Sequence, residues 1–126
     1  TDAGYYMNLP DLDFIPGAAV MTRVISHPAK GVFTTDLGYK AIASDPAGQR
    51  GYIVGLEDAV PIIHSEEHWA FRLEDESRIP AIGSCLYVIP THICPTTALY
   101  PEILVAKDGQ VADRWQVTAR NRRITY

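Results

Sequence analysis

Hydrophobic positions along this chain alternate over short stretches and never settle into a long helical period. The clearest case is residues 68–74, where Trp69, Phe71 and Leu73 fall on one side and His68, Ala70, Arg72 and Glu74 on the other. A two-residue period marks a half-buried strand. Residues 18–25 are apolar, with valine and isoleucine gathered in their second half, and His27-Pro28 closes the run. Residues 31–35 and 39–43 read as strands on either side of the turn-prone Asp36-Leu37-Gly38. Residues 51–55 form a short apolar run between glycines, and residues 83–89 read as a buried strand. Residues 103–106 and 111–117 flank Lys107-Asp108-Gly109-Gln110, and Asp-Gly is a strong two-residue hairpin signal. A single helical turn is expected over residues 8–14, after Tyr5-Tyr6. Nine glycines and nine prolines punctuate these runs. The pattern predicts an all-β fold, a compact barrel or sandwich of short strands.

Composition narrows the class without changing it. A chain of 126 residues with 47% hydrophobic content can bury a core as one domain, without disulfide or metal staples. No apolar run reaches the roughly 18 residues of a membrane span. The start carries no signal-peptide pattern, although a truncated start would hide one. The net charge of −4 gives no general attraction to nucleic acid or to an anionic membrane. Arg114, Arg120, Arg122 and Arg123 cluster near the end without accompanying stacking aromatics, which suits surface or interdomain ion pairs better than nucleic acid. Of the two cysteines, Cys85 sits in an apolar run and reads as a buried, inert thiol. A reducing cytoplasm is the simplest setting.

Chemistry concentrates in Pro90-Thr91-His92-Ile93-Cys94-Pro95. Read as an extended segment, residues two apart share a face, so His92 and Cys94 would present an imidazole and a sulfur side by side. That soft pair suits zinc or a similar divalent ion. Each flanking proline fixes its own φ and pushes the preceding residue towards extended geometry. Two ligands leave coordination positions open, as catalytic metal sites do. The plain alternative is a buried histidine beside an inert thiol.

The run from Ile89 through His92 and Cys94 to Thr97 resembles the metal-site segment of the D-threonine aldolase and D-serine dehydratase family, fold-type III pyridoxal-phosphate enzymes that also use a divalent metal. Thr22-Arg23-Val24-Ile25-Ser26-His27-Pro28, Thr35-Asp36-Leu37-Gly38-Tyr39-Lys40-Ala41 and Ser65-Glu66-Glu67-His68 fit the same family in the same order, as does the closing Trp115 to Arg122. The resemblance spans nearly the whole chain and is greatest to the aldolase-like branch. It implies the C-terminal β domain of such an enzyme, with His92 and Cys94 as metal ligands. Zinc suits the thiolate best; manganese, cobalt and magnesium are the alternatives. Pyridoxal phosphate would be bound by an N-terminal barrel that this chain lacks. None of the three lysines, Lys30, Lys40 and Lys107, has the context of the cofactor lysine. Thr1-Asp2-Ala3-Gly4-Tyr5 resembles the middle of a family motif, so residues 1–126 are expected to be one excised domain. Residues 1–16 would link it to the barrel, and the chain alone would be inactive.

The implied reaction is retro-aldol cleavage of D-3-hydroxy amino acids to glycine and an aldehyde. The alternatives are D-serine dehydratase-like elimination to ammonia and a 2-oxo acid, or a non-catalytic interaction or dimerisation module. The implied partners are the barrel, a second subunit and a small D-amino acid. His68 is the candidate catalytic proton handler, against a reading in which residues 65–68 form a structural corner; the separate roles of Glu66, Glu67 and His68 stay open. His64 and His27 read as strand-end residues. Asp36 and Tyr39 would face the barrel, and Tyr5, Tyr6, Tyr87 and Tyr100 either line a pocket or pack.

Overall fold

The structure, a computed structural model, describes residues 1–45 and 47–125. The elements run α1 (Ala3–Asn8), β1 (Val20–Ala29), β2 (Val32–Thr35), β3 (Gly51–Ile53), β4 (Val60–His64), β5 (Trp69–Arg72), β6 (Cys85–Pro90), α2 (Ile93–Thr97), β7 (Glu102–Lys107) and β8 (Gln110–Gln116). Six strands form one antiparallel sheet in the order β3-β6-β1-β2-β5-β4, and β7-β8 is a separate hairpin. The expected all-β class holds. No helix among the described residues is long and apolar enough to cross a membrane.

β1 curls the sheet into a half-barrel. Its first half, from Val20 to Arg23, pairs with β6. Its second half, from Val24 onward, pairs with β2, with register shifts on both sides of Ser26. Such shifts bend a strand and increase its twist, so one strand serves two halves of the sheet. The inner face carries Val24, Phe33, Trp69, Phe71, Leu73 and Val88, all buried. Phe33 stacks on Phe71 at 5.5 Å between ring centroids, and Trp69 tilts against Phe71 at 4.5 Å. The alternation read over residues 68–74 is therefore the core-facing register of β5.

Departures from the sequence reading have local causes. β1 runs through His27-Pro28, because Pro28 lies within the register shift before Ala29, where a missing N–H is tolerated. Residues 39–43 are not a strand: the Ala41 and Ile42 amides both donate to the Gly38 carbonyl, at 2.9 and 3.1 Å, and wind the segment into turns. β4 went unread, since Val60-Pro61-Ile62-Ile63-His64 has no alternation; it is an edge strand with a register shift between Pro61 and Ile63. The expected helical turn at residues 8–14 forms earlier, as α1, because the Asp2 side chain accepts the Tyr5 amide and caps it. β6 is half-buried, with Val88 and Pro90 inward and Cys85 exposed, so Cys85 is not the buried thiol expected.

One contact fixes how the loop after β2 lies on the turn before β5. A Cβ on Gly38 would stand 1.9 Å from the Glu66 carbonyl oxygen, whereas one on Gly17 would meet nothing within 4 Å. Backbone on both sides leaves no flexible group to yield. Gly38→Ala is expected to destabilise the fold by about 3 kcal/mol or more, the upper range of overpacking costs, while Gly17→Ala stays within about 0.5 kcal/mol of wild type. Thermal unfolding of the two variants checks this, and equal midpoints would contradict it.

Candidate functional site

The end of β6 delivers the chain to His92 through a tightly held turn. The Thr91 amide donates to the Arg50 carbonyl at 2.8 Å and its hydroxyl to the Gln49 carbonyl at 2.8 Å. From the other side, the Gly4 amide donates to the Thr91 carbonyl at 3.1 Å. Gly4 permits that approach, since a Cβ there would stand 2.6 Å from the same oxygen.

His92 is the residue before α2, extended at φ −131° and ψ 103°, and Cys94 lies within the first turn of that helix. The two therefore do not sit on one extended face: the segment turns helical at Ile93, although each proline favours extended geometry before it. Pro95 is accommodated because the opening turn of a helix has no intrahelical use for its N–H. The Cys94 thiol is exposed and unpaired. The Thr96 hydroxyl donates to the His92 carbonyl at 2.8 Å and accepts from the Ala43 amide at 3.1 Å. The Thr97 hydroxyl donates to the Ile93 carbonyl at 2.9 Å.

Two carboxylates stand beside this segment, and periodicity marked neither. Asp2 is 2% exposed. Its Oδ1 caps α1 at Tyr5, and its Oδ2 accepts the Ile93 amide at 2.9 Å, so one buried side chain ties both helix starts together. Asp45 Oδ2 lies 3.3 Å from His92 Nδ1. Asp2 falls in the Thr1-Asp2-Ala3-Gly4-Tyr5 stretch already noted for its family resemblance, whereas Asp45 reaches His92 from 47 residues away. An open cavity of about 470 Å³ lies between α1 and this turn, bounded by Tyr5, Leu9, Asp45, Thr91 and His92.

An imidazole and a thiolate suit a soft divalent ion, and the donor chemistry of His92 and Cys94 fits one. No group of three His, Cys, Asp or Glu side chains among the described residues is arranged to hold a metal. Two donors are fewer than a closed structural site uses.

The turn over residues 65–68 has a structural explanation. The Tyr39 and Lys40 amides donate to the Ser65 and Glu66 carbonyls at 2.9 and 3.1 Å. Lys40 Nζ bridges Glu66 and Glu67 at 2.9 and 2.8 Å. Those contacts push the Lys40 pKa up, the Glu67 hydrogen bond first, and hold Glu66 low. The His68 carbonyl accepts from both the Ser65 amide and hydroxyl. Its ring is exposed and has no hydrogen-bond partner among the described residues. Asp36 likewise serves the fold: it accepts from the Thr22 hydroxyl and the Arg23 amide across β1. Tyr100 donates to the Ala41 carbonyl at 2.7 Å, so it packs; Tyr5, by contrast, lines the cavity.

His64 is more than a strand end. Its ring lies 4.7 Å from Trp69 and edge-on to Tyr39 at 6.1 Å between centroids. Its Nε2 is buried without a hydrogen-bond partner among the described residues. Burial first, then the Arg50 charge, lowers its pKa, against a backbone hydrogen bond to Leu37.

Residues 17–106 match the model of the family described as "Putative serine dehydratase domain". The chain is 32% identical over 115 residues to an uncharacterized protein of Mycobacterium tuberculosis (strain H37Rv), covering 89% of this chain and 86% of that one. It is 31% identical over 104 residues to a D-threonine aldolase of Arthrobacter sp., covering 80% of this chain but 26% of the aldolase. In structure it superimposes on D-threonine aldolase from Filomicrobium marinum with a TM-score of 0.85 and 25% identity, over 95% of this chain and 33% of the aldolase. The chain therefore spans most of the mycobacterial relative and about a third or less of the aldolases.

Removing the Asp2 carboxylate strands two backbone amides at the site. Asp2→Ala is expected to cost about 1–3 kcal/mol, the penalty for unsatisfied buried donors, and to speed amide exchange at Ile93; Asp2→Asn, which keeps one acceptor, should lose less. Unchanged exchange at Ile93 in Asp2→Ala would refute the tie. For His64, the unfolded chain titrates at about 6.5 and the folded ring below that. The folded state prefers the neutral ring, so its contribution is complete above the unfolded pKa and is lost as pH falls through the lower folded one. His64→Gln should shrink the drop in melting temperature between about pH 7.5 and 5; an undiminished drop would show that His64 carries none of it.

Proposed function

Since the chain belongs to the serine dehydratase domain family, we propose that it is the metal-binding β domain of a pyridoxal-phosphate-dependent lyase acting on D-3-hydroxy amino acids, of the D-threonine aldolase type. The observation that carries this reading is the convergence at His92. Residues from four separated stretches (1–5, 43–45, 49–50 and 90–97) bond to one another there, around an open cavity that His92 lines, and the exposed Cys94 follows two residues later. Structural reinforcement of that density around two soft donors suits a site that must hold its geometry.

Bound between His92 and Cys94, a divalent ion would supply Lewis-acid polarisation of the substrate's β-hydroxyl, and pyridoxal phosphate, held outside this chain, would supply the electron sink. Zinc matches the thiolate best, with manganese, cobalt or magnesium as alternatives. The task of this chain's own residues is to bind and to position. Asp2 and Thr96 fix the backbone on either side of the ligand pair, and Tyr5 and Leu9 wall the cavity that would take the substrate's side chain. A proton leaving the β-hydroxyl needs an acceptor. His68 is the proposed acceptor of that proton in the whole protein; its exposed ring, free of protein hydrogen bonds among the described residues, is open to that role.

Residues 1–126 are read as a single domain, with residues 1–16 leading to the barrel. The barrel and a second subunit are the proposed partners, and exposed apolar side chains such as Tyr6, Ile15 and Trp115 suit such contacts. Without a cofactor lysine this chain alone is inactive. Two unpaired, exposed thiols suit a reducing cytoplasm. D-serine dehydratase-like elimination uses the same ligands and is the alternative chemistry. The mycobacterial relative of similar length favours a second reading, a separately encoded β module that works by association.

The native protein carrying this chain, given pyridoxal phosphate, a divalent metal and D-threonine, should yield glycine and acetaldehyde. His92→Ala and Cys94→Ala should each lower kcat/KM at least about 100-fold, beyond the usual effect of residues that only support a metal ligand. Ammonia with 2-oxobutyrate would move the protein to the dehydratase branch. Absence of both products would leave the β-module reading.

A further inference from the structure

His92 has two ring nitrogens, and the structure makes them unequal. On the reading that His92 is a metal ligand, we propose that Asp45 is its positioning residue, holding the proton on Nδ1 so that Nε2 is the nitrogen that binds the ion. Asp45 Oδ2 stands 3.3 Å from Nδ1. A carboxylate only accepts hydrogen bonds, so it pairs with the tautomer protonated at Nδ1, and the lone pair of a neutral ring is then on Nε2. Carboxylate–histidine pairs of this kind fix ring orientation and raise the basicity of the metal-binding nitrogen.

The loop that leads to the carboxylate is anchored just before it. Asp45 lies two residues after Ala43, whose amide is bonded to Thr96 in α2 at 3.1 Å. Thr96 in turn holds the His92 carbonyl at 2.8 Å. Acid and imidazole are thus referenced to the same hydroxyl, one through the loop and one through the helix start. Further back, Leu37 and Ile42 of the same loop are buried in the core, and Lys40 is clamped by Glu66 and Glu67. The pair itself is open to solvent, the Asp45 side chain 75% exposed and that of His92 37%.

The test uses the native protein labelled with ¹⁵N-histidine, with the His92 signals assigned by their loss in His92→Asn. In the metal-free protein near neutral pH, His92 should show the Nδ1-protonated tautomer, and Asp45→Ala should lose that bias. On zinc addition the large shift should fall on Nε2. Zinc affinity, measured by chelator competition, should drop about 10–100-fold in Asp45→Ala and recover in part in Asp45→Asn, whose side-chain carbonyl still accepts. Melting temperatures identify any variant that loses affinity by unfolding. An Nε2-protonated ring in the wild type, zinc on Nδ1 with Asp45 as its co-ligand, or equal affinity in all three proteins would each overturn the inference while leaving His92 a ligand. No zinc binding by the wild type would overturn the metal reading, and this inference with it.

Discussion

Everything at the site depends on how the loop after β2 is laid across the sheet, and that is set where Gly38 meets Glu66 backbone to backbone. With no room for a Cβ, the two segments bond directly through the Tyr39 and Lys40 amides. Leu37 and Ile42, on either side of the contact, go into the core. The loop is therefore anchored by packing on its inner side and by an ion-pair clamp on its outer side. Exposed pairs such as Lys40 with Glu66 and Glu67 add little energy alone; their value here is to fix direction. From that anchored stretch, Ala43 and Asp45 reach α2 and His92.

The same economy applies at the other entrance to the site. Asp2 is buried and faces two backbone amides, one in each helix start. Leaving either amide without a partner in a buried setting would cost more than a neutral hydrogen bond contributes, so the first residues of the chain and the His92 turn order one another. α1 is a single capped stretch whose Tyr5 packs edge-on against Phe14 at 6.3 Å between centroids. It is too short to be stable alone, and its position comes from the turn it contacts.

The strand pattern was legible wherever one face of a strand is buried and the other is not. Trp69, Phe71 and Leu73 announced β5, and Asp108-Gly109 announced the β7-β8 hairpin, where both residues adopt positive φ, 51° and 75°. β4 was illegible because a register shift between Pro61 and Ile63 breaks the alternation. The turns over residues 39–43 were illegible because Ile42 is buried by tertiary contact, and an apolar run hides that difference. α2 was missed for a related reason. Pro90 and Pro95 argue for extended chain, but a helix tolerates proline in its first turn. Threonine hydroxyls bonded four residues back, Thr96 to His92 and Thr97 to Ile93, complete the turn.

At the site, sequence could show residue types but not their company. His92 and Cys94 stood out because a short motif keeps them adjacent in the chain. Asp45 and Asp2 did not, since an aspartate after Ser44 or before Ala3 looks like any turn or cap residue. Their meaning comes from contact across 47 and 91 residues of chain. The motif at residues 65–68 shows the converse. Glu66 and Glu67 hold Lys40, and the His68 backbone closes the turn onto Ser65, while the His68 ring itself stays exposed. A family likeness marks stretches that must stay together without saying whether they react or brace. In this fold three of them bond to one another, Asp36 to Thr22 and Arg23 and Lys40 to Glu66 and Glu67, and the loop they hold continues to Ala43 and Asp45, which reach α2 and His92.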